Sequence, residues 1–397
     1  MSTNVIATKT KVPSIPRTIY TEEHRLFYET VEEFVAKRIV PFHPQWEKDH
    51  MMPRSAWKEA GEIGILAIQV PEEYGGLNIQ DFRYNTIITE ILGRAGTSGP
   101  GVGYQVHSDI VVPYILHYGN ETTKQRFLPG MVTGDIIGSI CMSEPGAGSD
   151  LQRITTTAID EGDHYLVNGS KTFISNGYTA DMGVVAVKTD PALGAKGTSL
   201  LAMDFHLEGV SKNKPFEKVG LHAQDTCQIF FDNVKVPKWA LLGEEGRGFA
   251  YMMEELPQER LGLAIFGLAA AEGALEETLR YVQDRKAFGK RVADFQNTRY
   301  KLAEMATECE MARTFIDRLV ELHADGQCTA EMASMAKFSM SDLQCRVIDE
   351  CLQLHGGYGY IWEYYIARAY ADARVQRIYG GTNEIMKELV SRRLVKS

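Results

Sequence analysis

The chain has 397 residues, 44% hydrophobic and 24% charged, which suits a soluble globular protein of two or three domains or one large multi-part subunit. Its 42 Lys and Arg against 52 Asp and Glu leave a net charge of −10, which argues against a dedicated nucleic-acid binder but leaves room for a local basic groove. Six cysteines with no CxxC pair, ten histidines with no ligand spacing, no secretion leader and no apolar run near ~18 residues exclude a disulfide scaffold, a metal site and a membrane span. The expected compartment is cytoplasmic, and an organelle would require a presequence.

Three textures follow one another. From Thr21 to about Ile137 the pattern is helical, with Leu26, Phe27, Val31, Phe34 and Val35 at helical spacing behind a Thr21 N-cap. Gly75-Gly76 and Gly119-Asn120 mark breaks. From about Ser139 to Leu242 short strands take over. His164 to Ser175 reads as a hairpin turning at Asn168-Gly169, followed by strands at Met182–Val187, Ser199–Phe205 and Gln228–Val236. From about Phe249 onward, helices are predicted at Glu259–Asp284, Asp294–Ala324, Thr329–Leu354 and Asn383–Val395, with Gly326 and Gly356-Gly357 as C-cap signals. The predicted organisation is an N-terminal helical domain over 1–138, a middle β domain over 139–248 and a C-terminal helical domain over 249–397.

Several chemistries are absent from the sequence. Gly101, Gly146 and Gly357 each begin a Gly-x-Gly that does not continue as GxGxxG, and there is no Walker A loop, HExxH or GxSxG. Four segments remain conspicuous. Cys141-Met-Ser-Glu-Pro-Gly-Ala-Gly-Ser-Asp150 can offer backbone N–H groups and hydroxyls to a ring edge or a phosphate, and it also suits a tight turn. Strand alternation places Phe173 and Ser175 on one face, an aromatic beside a hydroxyl, as in many half-buried strands. The basic run Arg285 to Gln296, containing Phe288, can hold a pyrophosphate or be a solvated helix end. Gln353 to Tyr360 and Tyr379 to Glu384 put glycines at helix ends, the second opening a helix that favours an acceptor or is simply capped by Thr382 or Asn383.

In this order, and across a helix–β–helix chain of this length, the segments resemble the acyl-CoA dehydrogenase family from about Thr21 to Leu394. CMSEPGAGSD and RKAFGKRVADFQ are its specific stretches, and ELPQER (Glu255–Arg260), QLHGGYGYIWEY and IYGGTNEIMKEL resemble the long-chain members. The resemblance implies a mostly α, α+β fold whose middle domain is β-barrel-like and whose C-terminal domain is a four-helix bundle. It implies FAD, with Met142 and Ser143 at the flavin edge, Gly148 among the cofactor contacts, Ser149 at a phosphate or the ligand's CoA arm, and Phe173 and Ser175 flanking the ring. Arg285, Phe288, Gln296, Gln353, Gly356 and Gly357 would serve the FAD of a neighbouring subunit, and Thr382 and Glu384 would close over the cofactor. A dimer of dimers and an electron-transfer flavoprotein as acceptor are implied in the same way.

Oxidising an acyl thioester between C2 and C3 needs a base for the C2 proton while C3 gives up hydride. Many relatives carry that base as Glu directly after the Tyr of the last loop, where this sequence has Gly380. Long-chain and isovaleryl-type members place it on a helix just before an Arg, and the match is Glu259-Arg260, with Glu254 or Glu255 next in line. Pro257, Gln258, Arg260, Gly380 and Gly381 are the implied acyl-CoA contacts. Burial beside flavin and acyl chain would raise the Glu259 pKa, whereas a helix start at Pro257 would lower it. Gly380-Gly381 removes bulk beside the reacting carbons, which points to medium or long chains and to branched acyl groups such as citronellyl-CoA. An oxygen-using acyl-CoA oxidase, a nitroalkane-oxidising relative and a non-catalytic nucleic-acid-binding flavoprotein are the competing readings. The −10 charge and Glu259 speak against the last.

Overall fold

The structure, a computed structural model, describes residues 14–395. Seven helices come first: α1 (Glu22–Phe34), α2 (His43–Asp49), α3 (Arg54–Glu62), α4 (Arg83–Arg94), α5 (Ser98–Gln105), α6 (Val112–Tyr118) and α7 (Glu121–Thr133). At the start of α1 the Thr21 N–H donates to His24 Nδ1 at 3.2 Å. The predicted apolar stripe is narrower than expected, since Val31, Phe34 and Val35 are buried but Leu26 faces solvent. α5 and α6 are joined through a π-helical stretch, Val106–Val111, so that one continuous rod runs from Ser98 to Tyr118.

The middle of the chain forms an eight-stranded sheet from β1 (Gly138–Cys141), β2 (Thr157–Asp160), β3 (His164–Ser175), β4 (Met182–Lys188), β5 (Thr198–Asp204), β6 (Val210–Lys212), β7 (Thr226–Pro237) and β8 (Leu241–Leu242). The path runs β6-β7-β3-β2-β4-β5-β8, with β1 beside β4. Alternate residues of β4 serve two cores. Val185 and Val187 pack with the N-terminal helices, and Val184 and Ala186 pack on the other face with α6.

One expectation fails here. Asn168-Gly169 is not a hairpin turn but lies inside the single strand β3, at a register shift against β7. A Cβ at Gly169 (φ 148°) would stand 2.5 Å from Thr156 Oγ1, so glycine is required by close backbone approach rather than by reversal. The reversal before β3 uses Gly162 instead, with φ 94°.

The C-terminal part contains α8 (Gly248–Asp284), α9 (Gln296–Ala324), α10 (Ala330–His355), α11 (Tyr365–Ala373) and α12 (Asn383–Leu394). Ile265 and Leu268 of α8, Ile316 and Val320 of α9, and Val347 and Ile348 of α10 share one core. α8 begins eleven residues before the predicted Glu259, so Pro257 is an interior residue and not a helix start. The fold is mostly helical: helical N-terminal domain, sheet domain, helical C-terminal domain. No helix among the described residues is long and apolar enough to cross a membrane.

Candidate active site

Glu259 projects from α8 into the interior, only 6% exposed, and accepts a hydrogen bond from the Tyr114 hydroxyl of α6 at 3.2 Å. Burial pushes its carboxyl up to about 7, opposed by the Tyr114 bond and the Arg260 charge and assisted by Glu255. With Pro257 inside the helix, no helix N-terminus acts on Glu259, which removes the expected counter-pressure. The fallback carboxylates are otherwise engaged. Glu254 is exposed and accepts from the Tyr118 hydroxyl at 2.9 Å, while buried Glu255 meets His117 Nδ1 at 2.7 Å.

The loop carrying Gly380 and Gly381 lies against the same helix. A Cβ at Gly380 (φ 63°) would stand 2.2 Å from Leu263 Cδ1, and Leu263 is one turn along α8 from Glu259. A Cβ at Gly381 would stand 3.9 Å from Arg260 Nη2. The Arg260 guanidinium is buried and its Nε has no hydrogen-bond partner. Beneath the loop, buried Lys337 of α10 donates to the Gly381 carbonyl at 2.6 Å and to Asn383 Oδ1 at 3.1 Å. Burial, with the Arg260 charge, brings the Lys337 ammonium down to about 8. One buried carboxyl, one under-satisfied guanidinium and a loop with two successive positive-φ glycines therefore meet at one place. Such a place can take a proton and hold developing negative charge.

Gln258 and Pro257 do not join them as expected. The Gln258 amide donates to the Asp109 carbonyl at 2.8 Å and its oxygen meets His323 Nε2 at 3.2 Å, so it clips three helices together. Pro257 is half-buried beside it and has no N–H to offer.

Met142 and Ser143 are half-buried and held from behind by β3. The Thr172 N–H donates to the Ser143 carbonyl at 2.9 Å, and Lys171 Nζ to the Met142 carbonyl at 3.2 Å. Lys171 is wholly buried and also pairs with Glu144 Oε1 at 2.8 Å. Glu144 accepts in addition from the Thr155 N–H, the Thr155 hydroxyl and the Thr156 N–H. Gly148 and Ser149 are exposed on the same loop. Simple alternation breaks at Lys171–Ile174, where the register shifts and Phe173 adopts φ 60°, leaving Phe173 70% exposed and Ser175 half-buried.

The remaining predicted residues gather elsewhere. Arg285, Gln353, Gly356 and Gly357 line a groove of about 500 Å³ with Tyr281 and Tyr358. The Arg285 guanidinium stacks 5.3 Å from the Tyr358 ring. Phe288 stands 96% exposed on the adjoining hairpin, and exposed Gln296 opens α9 and bonds to Tyr300. Thr382 caps α12 by accepting from the Ile385 N–H at 3.4 Å, and Glu384 is exposed in its first turn. Sequence reasoning missed Tyr114, Lys171, Glu144 and Lys337. The two lysines carried a signal, because each stands at a core-facing position of its strand or helix.

Three family models cover the chain in succession: acyl-CoA dehydrogenase N-terminal domain over residues 21–135, middle domain over 139–234 and C-terminal domain over 246–395. The long-chain specific acyl-CoA dehydrogenase of Sus scrofa mitochondria is 46% identical over 381 residues, 96% of this chain and 88% of that protein. The chain belongs to the acyl-CoA dehydrogenase family. The crystal structure of an acyl-CoA dehydrogenase from Geobacillus kaustophilus superposes with TM-score 0.93 at 49% identity, covering 96% of this chain and all of that one. A glutaryl-CoA dehydrogenase from Mycobacterium smegmatis, solved with FADH2, matches at TM-score 0.89 and 28% identity over 95% of each chain.

The protein is thus an FAD-dependent oxidoreductase of this family. Its residues fit that cofactor. An exposed aromatic at Phe173 and half-buried polar groups at Ser143 and Ser175 suit a flat ring with a polar rim. An exposed arginine in the groove of α8 and α10 suits a diphosphate.

Proposed function

We propose that this acyl-CoA dehydrogenase desaturates medium- and long-chain acyl-CoA, branched chains included, to the trans-2-enoyl-CoA of fatty-acid β-oxidation, with Glu259 taking the C2 proton. The observation that carries this is the buried Glu259 carboxyl held at about 7, one turn along α8 from the Leu263 side chain that packs against Gly380. FAD, when bound, would supply the acceptor for the C3 hydride. Arg260 and the backbone of the Gly380-Gly381 loop, backed by Lys337, stabilise charge at the thioester end of the substrate.

Met142, Ser143, Phe173 and Ser175 are assigned to the flavin ring, with Thr382 and Glu384 at its far edge. The groove of Arg285, Gln353, Gly356 and Gly357 is assigned to a neighbouring copy's FAD. Tyr281 at that groove is 22 residues along α8 from Glu259, roughly 33 Å at 1.5 Å per residue. A separation of that size, with the exposed aromatic rings Phe288 and Tyr360 around the groove, supports sharing of the cofactor between subunits in a dimer of dimers. Electron-transfer flavoprotein is the proposed electron acceptor.

Anaerobic titration with butyryl-, octanoyl-, palmitoyl- and citronellyl-CoA tests the substrate class. Octanoyl-, palmitoyl- and citronellyl-CoA are expected to bleach the flavin efficiently, and a sharp optimum at butyryl-CoA contradicts the proposal.

Moving the base tests its geometry. Glu259→Gly combined with Gly380→Glu is expected to recover only about tenfold over Glu259→Gly alone. A left-handed glutamate costs about 1–2 kcal/mol, and its Cβ meets Leu263. Adding Leu263→Ala should raise the recovery further. Absence of any gain in steady-state turnover would show that a carboxylate at 380 does not reach C2.

A further inference from the structure

α6 meets α8 through three successive polar contacts. Tyr114, His117 and Tyr118 face Glu259, Glu255 and Glu254 in turn. The middle contact differs from its neighbours in a way that bears on turnover. Glu255 is buried like Glu259 and sits one helical turn from it on the same face of α8. His117, its partner at 2.7 Å, has a side chain 57% exposed. A carboxylate pair that begins at the buried base thus ends on an imidazole in contact with water.

Each turnover leaves a proton on Glu259 that must depart before the base can act again. The C2–H bond breaks with its electron pair forming the C2=C3 bond, the C3 hydride goes to FAD, and the C2 proton stays on a Glu259 oxygen. We propose that Glu255 and His117 form the route by which this proton reaches solvent, with the Tyr114 hydroxyl spanning the turn between the two carboxylates. A hydroxyl can accept one proton while giving up its own, and the Tyr114 hydroxyl is bonded to Glu259 at 3.2 Å and lies near enough to feel the Glu255 charge. Imidazole can take a proton at Nδ1 from Glu255 and give one to water from Nε2. The route rests on Glu259 being the base.

The charged groups around the route are consistent with it. Glu259 faces Tyr114, Glu255 and Arg260. Glu255 also acts on Tyr118 of α6 and on His323 of α9. His117 faces Glu255 and, from α7, Lys124; its hydrogen bond to Glu255 favours the protonated ring, while partial burial and Lys124 oppose it.

The test is an anaerobic single turnover of the FAD-loaded enzyme in weak buffer, following flavin bleaching and a pH-indicator dye together. In His117→Ala, proton release is expected to lag bleaching by about a hundredfold relative to wild type, the low end of what a positioned proton-transfer group contributes. Added imidazole should close the gap, a rescue that a merely structural histidine would not show. Glu255→Gln should give the same lag without imidazole rescue. Release in step with bleaching in His117→Ala overturns the route. Failure of the base assignment is separable, because it would show as normal bleaching in Glu259→Gln.

Discussion

Glu259→Gln is expected to lower the rate of flavin bleaching by acyl-CoA by about a thousandfold while leaving FAD bound, because the amide keeps the shape of the side chain but cannot take a proton. Tyr114 would still donate to the amide oxygen, so the pocket keeps its hydrogen bond. In the wild type, bleaching should rise with pH through about 7, as the buried carboxyl ionises, and level off above it. Rapid-mixing spectrophotometry across pH 5.5–9 measures both effects. A flat profile in the wild type, or near-normal bleaching in the variant, removes Glu259 from the role. The variant should also gain stability. A carboxyl held at about 7 in the folded chain, against an ordinary 4.5, binds its proton more tightly folded than unfolded. Its contribution is therefore intact below 4.5 and lost as pH rises through 7, a cost of about 3 kcal/mol above that point. Glutamine escapes that cost, so Glu259→Gln should melt higher than wild type at pH 8 and not at pH 4.5.

The proposed base was legible only through a family comparison of two positions, Gly380 and Glu259, and its setting was not legible at all. Tyr114 lies 145 residues from Glu259, and nothing in either local sequence marks the pair. The long C-terminal helices read well because their apolar repeat is regular and glycines with positive φ follow α9 and α10. Pro257 misled because a proline usually opens or ends a helix, whereas tertiary packing here carries α8 through it. Asn168-Gly169 misled because glycine also serves where another chain segment comes too close for a Cβ, and Thr156 is that segment. α11 escaped notice because it is only nine residues long behind an aromatic-rich turn, although Ile366, Ala369 and Ala373 recur at helical spacing. The three-part organisation survived these local errors, since it depends on the change from helical to strand spacing and back rather than on any one turn.

Lys171→Met should destabilise the protein by about 3–5 kcal/mol and strip it of FAD, although Lys171 touches no substrate. Its ammonium is wholly buried between the Met142 carbonyl and Glu144. Burial alone would raise the Glu144 carboxyl. The Lys171 charge, together with hydrogen bonds from Thr155 and Thr156, holds it at about 2 instead, so Glu144 is ionised throughout the working range. Removing the lysine leaves a buried carboxylate with amide and hydroxyl donors but no counter-charge, and frees the Met142–Ser143 edge that it pins from behind. The sign of the pH effect follows. Stability supplied through Glu144 is present above its ordinary value of 4.5 and is lost as pH falls towards 2, so the penalty of Lys171→Met should shrink in acid. Glu144→Gln placed on the Lys171→Met background should recover part of the loss, because it removes the uncompensated charge while keeping an acceptor for the Thr155 and Thr156 N–H groups. Thermal melting of apo and FAD-loaded protein, with flavin content after gel filtration, separates the two consequences. If Lys171→Met melted within about 1 kcal/mol of wild type and kept its flavin, the strand beneath the loop would not be what shapes the cofactor edge.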